Sequence, residues 1–154
     1  MDLSPTLAVT SPPTQIDWAM HADIPALCAL FNDARAGHAS FCGAPMTYDD
    51  FIVATQGERI LIARVATQIA GFASVWGPDR FIHHLYVAPA FQRQGIGRHL
   101  LTACLERFGH PMSLKCLESN TAARRFYESN RWHAQDTATG ADGPYVLYVS
   151  QPAQ

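Results

Sequence analysis

Residues 81–101 read FIHHLYVAPAFQRQGIGRHLL, and the order of residue types in this stretch decides how the rest of the chain is arranged. Phe81 to Val87, rich in aromatic and branched apolar side chains, predicts a strand. The strand ends at Val87. A loop then delivers Gln92-Arg93-Gln94-Gly95-Ile96-Gly97 onto a helix start, and Ile96, Leu100, Leu101, Cys104, Leu105 and Phe108 fall at helical spacing behind it. A helix start is an anion site: its first amides have no partner within the helix, its dipole adds partial positive charge, and glycine lets a phosphate approach the backbone. Arg93 and Arg98 can add charge-assisted contacts.

Two better-known phosphate loops are excluded. A dinucleotide-binding turn needs a third glycine where Leu100 stands, and it passes directly from strand to glycine, whereas seven residues separate Val87 from Gly95. The nucleotide-hydrolase loop ends in Gly-Lys-Ser/Thr, which is missing here.

Outward from this stretch the chain alternates strand and helix signals. Residues 1–14 carry three prolines and read as a flexible leader; Gln15 to Met20 reads as a first strand. Asp23 is placed as the N-cap of a helix with Pro25 in its first turn and Leu27, Leu30 and Phe31 on one face. Arg35 to Pro45 is loop, and Thr47 with Asp50 resembles a capping box that opens a short helix to about Gln56. Ile60 to Ala66 and Ile69 to Trp76 form a hairpin around Thr67-Gln68, with a turn at Gly77-Pro78-Asp79. Ser113 to Leu117 is a strand, Thr121 to Ser129 a helix, and Trp132 to Thr137 pairs with Pro144 to Ser150 around Gly140 to Gly143. The expected fold is therefore α/β of the α+β type: a mixed, mostly antiparallel sheet of about seven strands flanked by about four helices. A single domain over 15–150, with a tail at 151–154, accounts for the length.

Composition narrows the function classes. With 48% hydrophobic and 16% charged residues the chain is built to fold, and a formal charge of -2 gives no general attraction for nucleic acid or anionic lipid. Cys28, Cys42, Cys104 and Cys116 show no metal-site spacing, so reduced core thiols and no metal are expected. No run approaches the roughly 20 apolar residues of a membrane span, and the expected location is the cytoplasm.

Leu85, Val87, Pro89, Gln92, Gly95 and Gly97 fall on the pattern L-x-V-x-P followed by Q/R-x-x-G-x-G/A, and Asn120, Ala123, Phe126 and Tyr127 fall on N-x-x-A-x-x-F-Y. Together these resemble the two cofactor motifs of the GNAT superfamily of N-acyltransferases, and the element order is similar over residues 15–150. The resemblance implies that the strand ending at Val87 and the strand Ser113 to Leu117 splay apart, with Leu85 and Val87 offering backbone groups to a pantetheine arm. It implies that amides of Gln92, Arg93, Gln94, Gly95, Ile96, Gly97 and Arg98 hold a pyrophosphate, and that an amide near Leu85 or Tyr86 faces the thioester oxygen. It makes acetyl-CoA the co-substrate, without a metal, and Tyr127 the acid for the leaving thiolate, since a phenol is protonated at neutral pH. Asn120 either hydrogen-bonds the pantetheine or serves as an N-cap.

The base is less defined. Many GNAT members carry Glu where Phe81 stands here, so His83 is taken as its replacement, two residues before Leu85 and on the same strand face; His84 is expected on the opposite face by strand alternation. Glu118 and bulk water are the rival routes. Asn130-Arg131-Trp132 replaces the usual Gly-Phe, with Asn130 able to take the left-handed conformation. The expected acceptor is a primary amine of a small molecule or peptide, attacking directly in a ternary complex. Phe41, Tyr48, Trp76 and Tyr145 either line its slot or simply pack. A homodimer is left open. The alternative from another class is a non-catalytic acyl-CoA sensor, which would need neither Tyr127 nor His83.

Overall fold

The structure, a computed structural model, describes residues 12–36 and 43–152. The elements run β1 (Thr14–Trp18), α1 (Ile24–Arg35), α2 (Tyr48–Ala54), β2 (Arg59–Val65), β3 (Gln68–Trp76), β4 (Phe81–Val87), α3 (Ile96–Phe108), β5 (Ser113–Leu117), α4 (Thr121–Ser129), β6 (Trp132–Gly140) and β7 (Gly143–Ser150). The seven strands form one sheet in the order β1-β2-β3-β4-β5-β7-β6. Every pair is antiparallel except β4 with β5, which is parallel. This is the expected mixed sheet with four helices. Most of the leader lies outside the described residues. Among them no helix is long and apolar enough to cross a membrane.

Local chemistry sets the element ends. Thr47 Oγ1 accepts from the Asp50 N–H at 3.1 Å, closing the first turn of α2. Asp23 precedes α1 without a side-chain cap; its carboxylate instead accepts from the Met20 N–H at 2.8 Å and from Arg64 at 3.0 Å. The β2–β3 turn falls at Ala66-Thr67, one residue before the expected Thr67-Gln68, because Ala66 takes the left-handed conformation with φ 56°. β1 ends at Trp18 rather than Met20, and β6 continues to Gly140 because its ladder with β7 runs to the turn itself.

The sheet buries both faces. Against one lie α3 and α4, over a cluster that includes Leu61, Val75, Ile82, Leu100, Leu114 and Tyr148. Against the other lie α1 and α2, with Leu27, Phe31, Phe51, Ile62 and Phe72. Phe51 makes edge-on contacts with Phe31 at 6.0 Å and Phe72 at 5.9 Å. Each such large side chain, once fully buried, stabilises the fold by about 1.5–3 kcal/mol.

β4 does not alternate evenly between these faces. Val75 of β3 stands opposite Ile82, and Ser74 stands opposite His84, so His83 is an extra residue, a β-bulge. Ile82, Leu85 and Val87 consequently join the α3 side, while Tyr86 joins the α1 side.

Gly71 fixes how α3 sits on the sheet. A Cβ there would stand 2.8 Å from the Tyr86 carbonyl oxygen and 3.2 Å from Ile96 and Leu100 side chains. Gly71→Ala is expected to cost about 1–3 kcal/mol, read as a lower denaturation midpoint in urea. An unchanged midpoint would show that the contact relaxes freely.

Candidate functional site

The parallel ladder between β4 and β5 consists of Phe81 with Ser113 and Ile82 with Leu114. Beyond Ile82 the two strands separate, as expected for a splayed pair. A groove of about 460 Å³ opens between them, with Leu85 and Val87 on one wall, Cys116 and Leu117 on the other, and Asn120 and Tyr127 of α4 above. The Ala88 N–H donates to the Ala70 carbonyl at 2.8 Å, and the Tyr86 carbonyl faces Gly71. The even-numbered residues thus turn their backbone groups to β3, and by alternation Leu85 and Val87 turn theirs to the split. Gln92 Nε2 reaches the Val87 carbonyl at 3.3 Å.

At the end of the groove the loop turns into α3 through two left-handed residues, Arg93 at φ 64° and Gly95 at φ 81°. Gln92, Arg93, Gln94 and Arg98 are exposed. A Cβ on Gly95 would meet nothing within 4 Å, so the space before the first turn is open. Ile96 is buried in the core, leaving only its amide to the loop. A Cβ on Gly97 would lie 3.0 Å from Phe126, so the missing side chain also seats α4 against α3.

Asn120 serves as the N-cap of α4, its Oδ1 accepting from the Ala123 N–H at 3.2 Å, while the residue still borders the groove. Tyr127 is partly buried, packing on Tyr148 at 5.8 Å and Trp132 at 6.2 Å. Burial first, then the nearby Cys116 and Tyr86, pushes its phenol well above the ordinary tyrosine value, so it holds its proton throughout the neutral range. Cys116 lines the same groove, and burial pushes its thiol up to about 11, which leaves it a poor nucleophile. After α4 the left-handed residue is Arg131 at φ 68°, one position later than Asn130.

The two histidines are arranged differently from the strand-alternation expectation. Their rings lie 4.0 Å apart, and His84 meets Phe31 edge-on at 5.3 Å, so both stand on the α1–α2 face, with Leu85 on the other. The bulge is the cause, because an inserted residue and its successor can share a side of the sheet. The groove is thus lined from both faces, by Tyr127 on one and by His83 and His84 on the other.

Glu58, just before β2, was not a candidate from the sequence. Its Oε1 lies 2.6 Å from His83 Nδ1, and Ser74 donates to its other oxygen. Burial would raise its carboxyl, but the hydrogen bonds from His83 and Ser74 and the charges of both histidines prevail and hold it below the usual carboxylate value. His84 is pushed down to about 4, chiefly by burial, with His83 and Arg35 acting in the same direction and Glu58 against them. It is neutral at pH 7.

The other sequence candidates separate. Tyr145 lines the groove, with Lys115 Nζ 4.9 Å above its ring. Tyr48 and Trp76 are exposed and do not line the groove; Glu118 is exposed between the lining residues Leu117 and Asn120 without lining it itself. Phe41 lies outside the described residues.

The family model described as the acetyltransferase (GNAT) family matches residues 13–131. A protein of Mycobacterium tuberculosis named as a probable N-acetyltransferase is 41% identical over 88 residues, 49% of this chain and 49% of that protein. The peptidyl-lysine N-acetyltransferase YiaC of Escherichia coli is 26% identical over 127 residues, 78% of this chain and 84% of its own. The solved structure of yncA from Salmonella typhimurium, described as a putative acetyltransferase with its cofactor acetyl-CoA, superposes with a TM-score of 0.69 at 24% identity, covering 90% of this chain and 93% of that one.

The partly buried His84 gives stability a pH dependence. Between the ordinary histidine value of 6.5 and its folded value of about 4, the unfolded chain binds more protons than the folded one. Stability therefore falls as pH drops through that window, by an amount on the order of 3 kcal/mol, and this contribution is flat above pH 7. His84→Phe, which keeps a flat ring among the aromatics, is expected to reduce the slope in urea melts at stepped pH; an identical slope in both proteins would contradict the assignment.

Proposed function

The chain belongs to the GNAT acetyltransferase family, and on that premise we propose that it moves an acetyl group from acetyl-CoA to a primary amine of a small molecule or peptide. The observation that carries this reading is the split of β4 from β5 after two residue pairs, which opens a groove bordered by Tyr127 and His83. The residues fit the cofactor. Leu85 and Val87 turn backbone groups into the split, where an extended amide-bearing arm can take the place of a strand. The first amides of α3, behind the open space at Gly95, suit its pyrophosphate, with Arg93 and Arg98 beside them.

Bound there, acetyl-CoA would supply an acyl thioester. The Leu85 N–H, aimed at the split, is the donor placed for the thioester oxygen as negative charge develops on it. His83 takes a proton from the attacking amine, and Tyr127, protonated at neutral pH, gives its proton to the departing sulfur. Acid and base stand on opposite faces of the sheet, so the acceptor can enter from the α1–α2 side while the cofactor occupies the other. That arrangement supports direct attack in a ternary complex, and the protonated Cys116 thiol makes a covalent acyl-enzyme the poorer route. Buried free thiols at Cys28, Cys104 and Cys116 suit a reducing compartment, and the cytoplasm is the proposed location.

Acetyl-CoA is expected to raise the melting temperature of the wild-type protein, since it binds only the folded state. Tyr127→Phe keeps the ring and should retain that shift, while thiol release with a panel of amines slows by roughly 10- to 1,000-fold. A variant turning over at the wild-type rate would return Tyr127 to a packing role. Absence of any acetyl-CoA shift in the wild type would remove the proposed function itself.

A further inference from the structure

Glu58 stands behind His83 rather than on the groove wall, and its side chain is 7% exposed against 45% for the histidine. Burying a carboxylate away from water is unfavourable by several kcal/mol unless its oxygens are satisfied. Here both are: Oε1 by His83 Nδ1 and Oε2 by the Ser74 hydroxyl. The fold does not ask for a charge at this position, where an apolar residue would fill the space without that penalty. The bulge at His83 is a second departure from the simplest sheet, and it presents Nδ1 to the carboxylate.

An ionised carboxylate can only accept hydrogen bonds, so the proton between these groups belongs to His83 Nδ1. We infer that Glu58 is a positioning residue that locks neutral His83 as its Nδ1–H tautomer, leaving the Nε2 lone pair to take the amine proton, while Ser74 fixes the carboxylate from behind. The inference rests on the acetyl-transfer reading above. In the step, an amine N–H bond breaks and the Nε2–H bond forms; Nδ1 keeps its proton, and Glu58 stays ionised and offsets the imidazolium charge until solvent removes the added proton. His84, its ring tilted against that of His83 at 4.0 Å, is neutral at pH 7 and adds no opposing positive charge. Among the described residues, the other charged and titratable groups around this corner are Arg35 of α1, Lys115 of β5, Asp142 of the β6–β7 turn, and Tyr86 and Tyr145, with Cys116 and Tyr127 lining the same groove.

Two measurements on the full chain test this. Long-range proton–nitrogen spectra of the 15N-labelled protein, taken at a pH where His83 is neutral, should show His83 as the Nδ1–H tautomer. Glu58→Gln should abolish that preference, because its amide can donate to Nδ1. A wild-type His83 in the Nε2–H form overturns the inference whether or not turnover is seen. In steady-state kinetics, Glu58→Gln should lower kcat about 10- to 100-fold with the KM for acetyl-CoA unchanged. The same substitution should have no further effect in a His83→Gln background, because Glu58 acts through that ring. Losses that multiply in the double variant overturn the inference and make Glu58 a structural residue. Wild-type protein that binds acetyl-CoA but turns over no amine counts against the acetyl-transfer reading, while the tautomer still decides the positioning role.

Discussion

Two residue pairs hold β4 to β5, Phe81 with Ser113 and Ile82 with Leu114, and the rest of the molecule is arranged around the ladder stopping there. Every other strand contact is antiparallel and runs the length of its shorter partner or nearly so, which makes a sheet rigid enough to hold one junction open. Opening it leaves backbone groups of Leu85 and Val87 without strand partners. Unpaired amides are tolerable where water reaches them, and costly where it does not. The groove meets that condition, and the same groups are thereby available to an extended ligand. Gly71 and Gly97 then fix the two helices on that face of the sheet, one by letting α3 settle on the sheet and the other by letting Phe126 of α4 settle on α3.

Around the split the polar groups are divided by face. Tyr127 sits among apolar and aromatic neighbours that keep its phenol protonated, whereas Glu58, Ser74, His83 and His84 form a connected polar array on the reverse side. Such an array is favourable only when its members are satisfied. The carboxylate here has a partner on each oxygen, and the more buried histidine gives up its charge rather than compete for it.

Much of the frame was legible in the sequence. β4, β5 and α4 fall at their expected bounds, because branched and aromatic runs, Pro89, and the N-cap at Asn120 are local signals that survive folding. What escaped was non-local. The faces of His83 and His84 depend on a register shift against Ser74 and Val75, which alternation within β4 alone cannot reveal. Glu58 is 25 residues from the histidine it touches, and nothing in a lone Gly-Glu before a strand marks it. Gly97, read from its motif as a phosphate residue, also stands where a Cβ would lie 3.0 Å from an aromatic ring two elements away, a contact the motif does not announce. Of the loop expected from Arg35 to Pro45, residues 37–42 lie outside those described.

His83 has no partner across the ladder: β3 pairs with Ile82 before it and with His84 after it. Deleting it on paper would leave a regular strand in which Ile82, His84, Leu85 and Tyr86 need not exchange sides. The sheet therefore places little demand on the identity of this residue, whose side chain is also nearly half exposed. The hydrophobic layers leave this position free to vary, but the buried Glu58 carboxylate does not: a substitution that removes the imidazole strands one of its oxygens, so the proton acceptor is exchanged at low cost only together with the acid behind it.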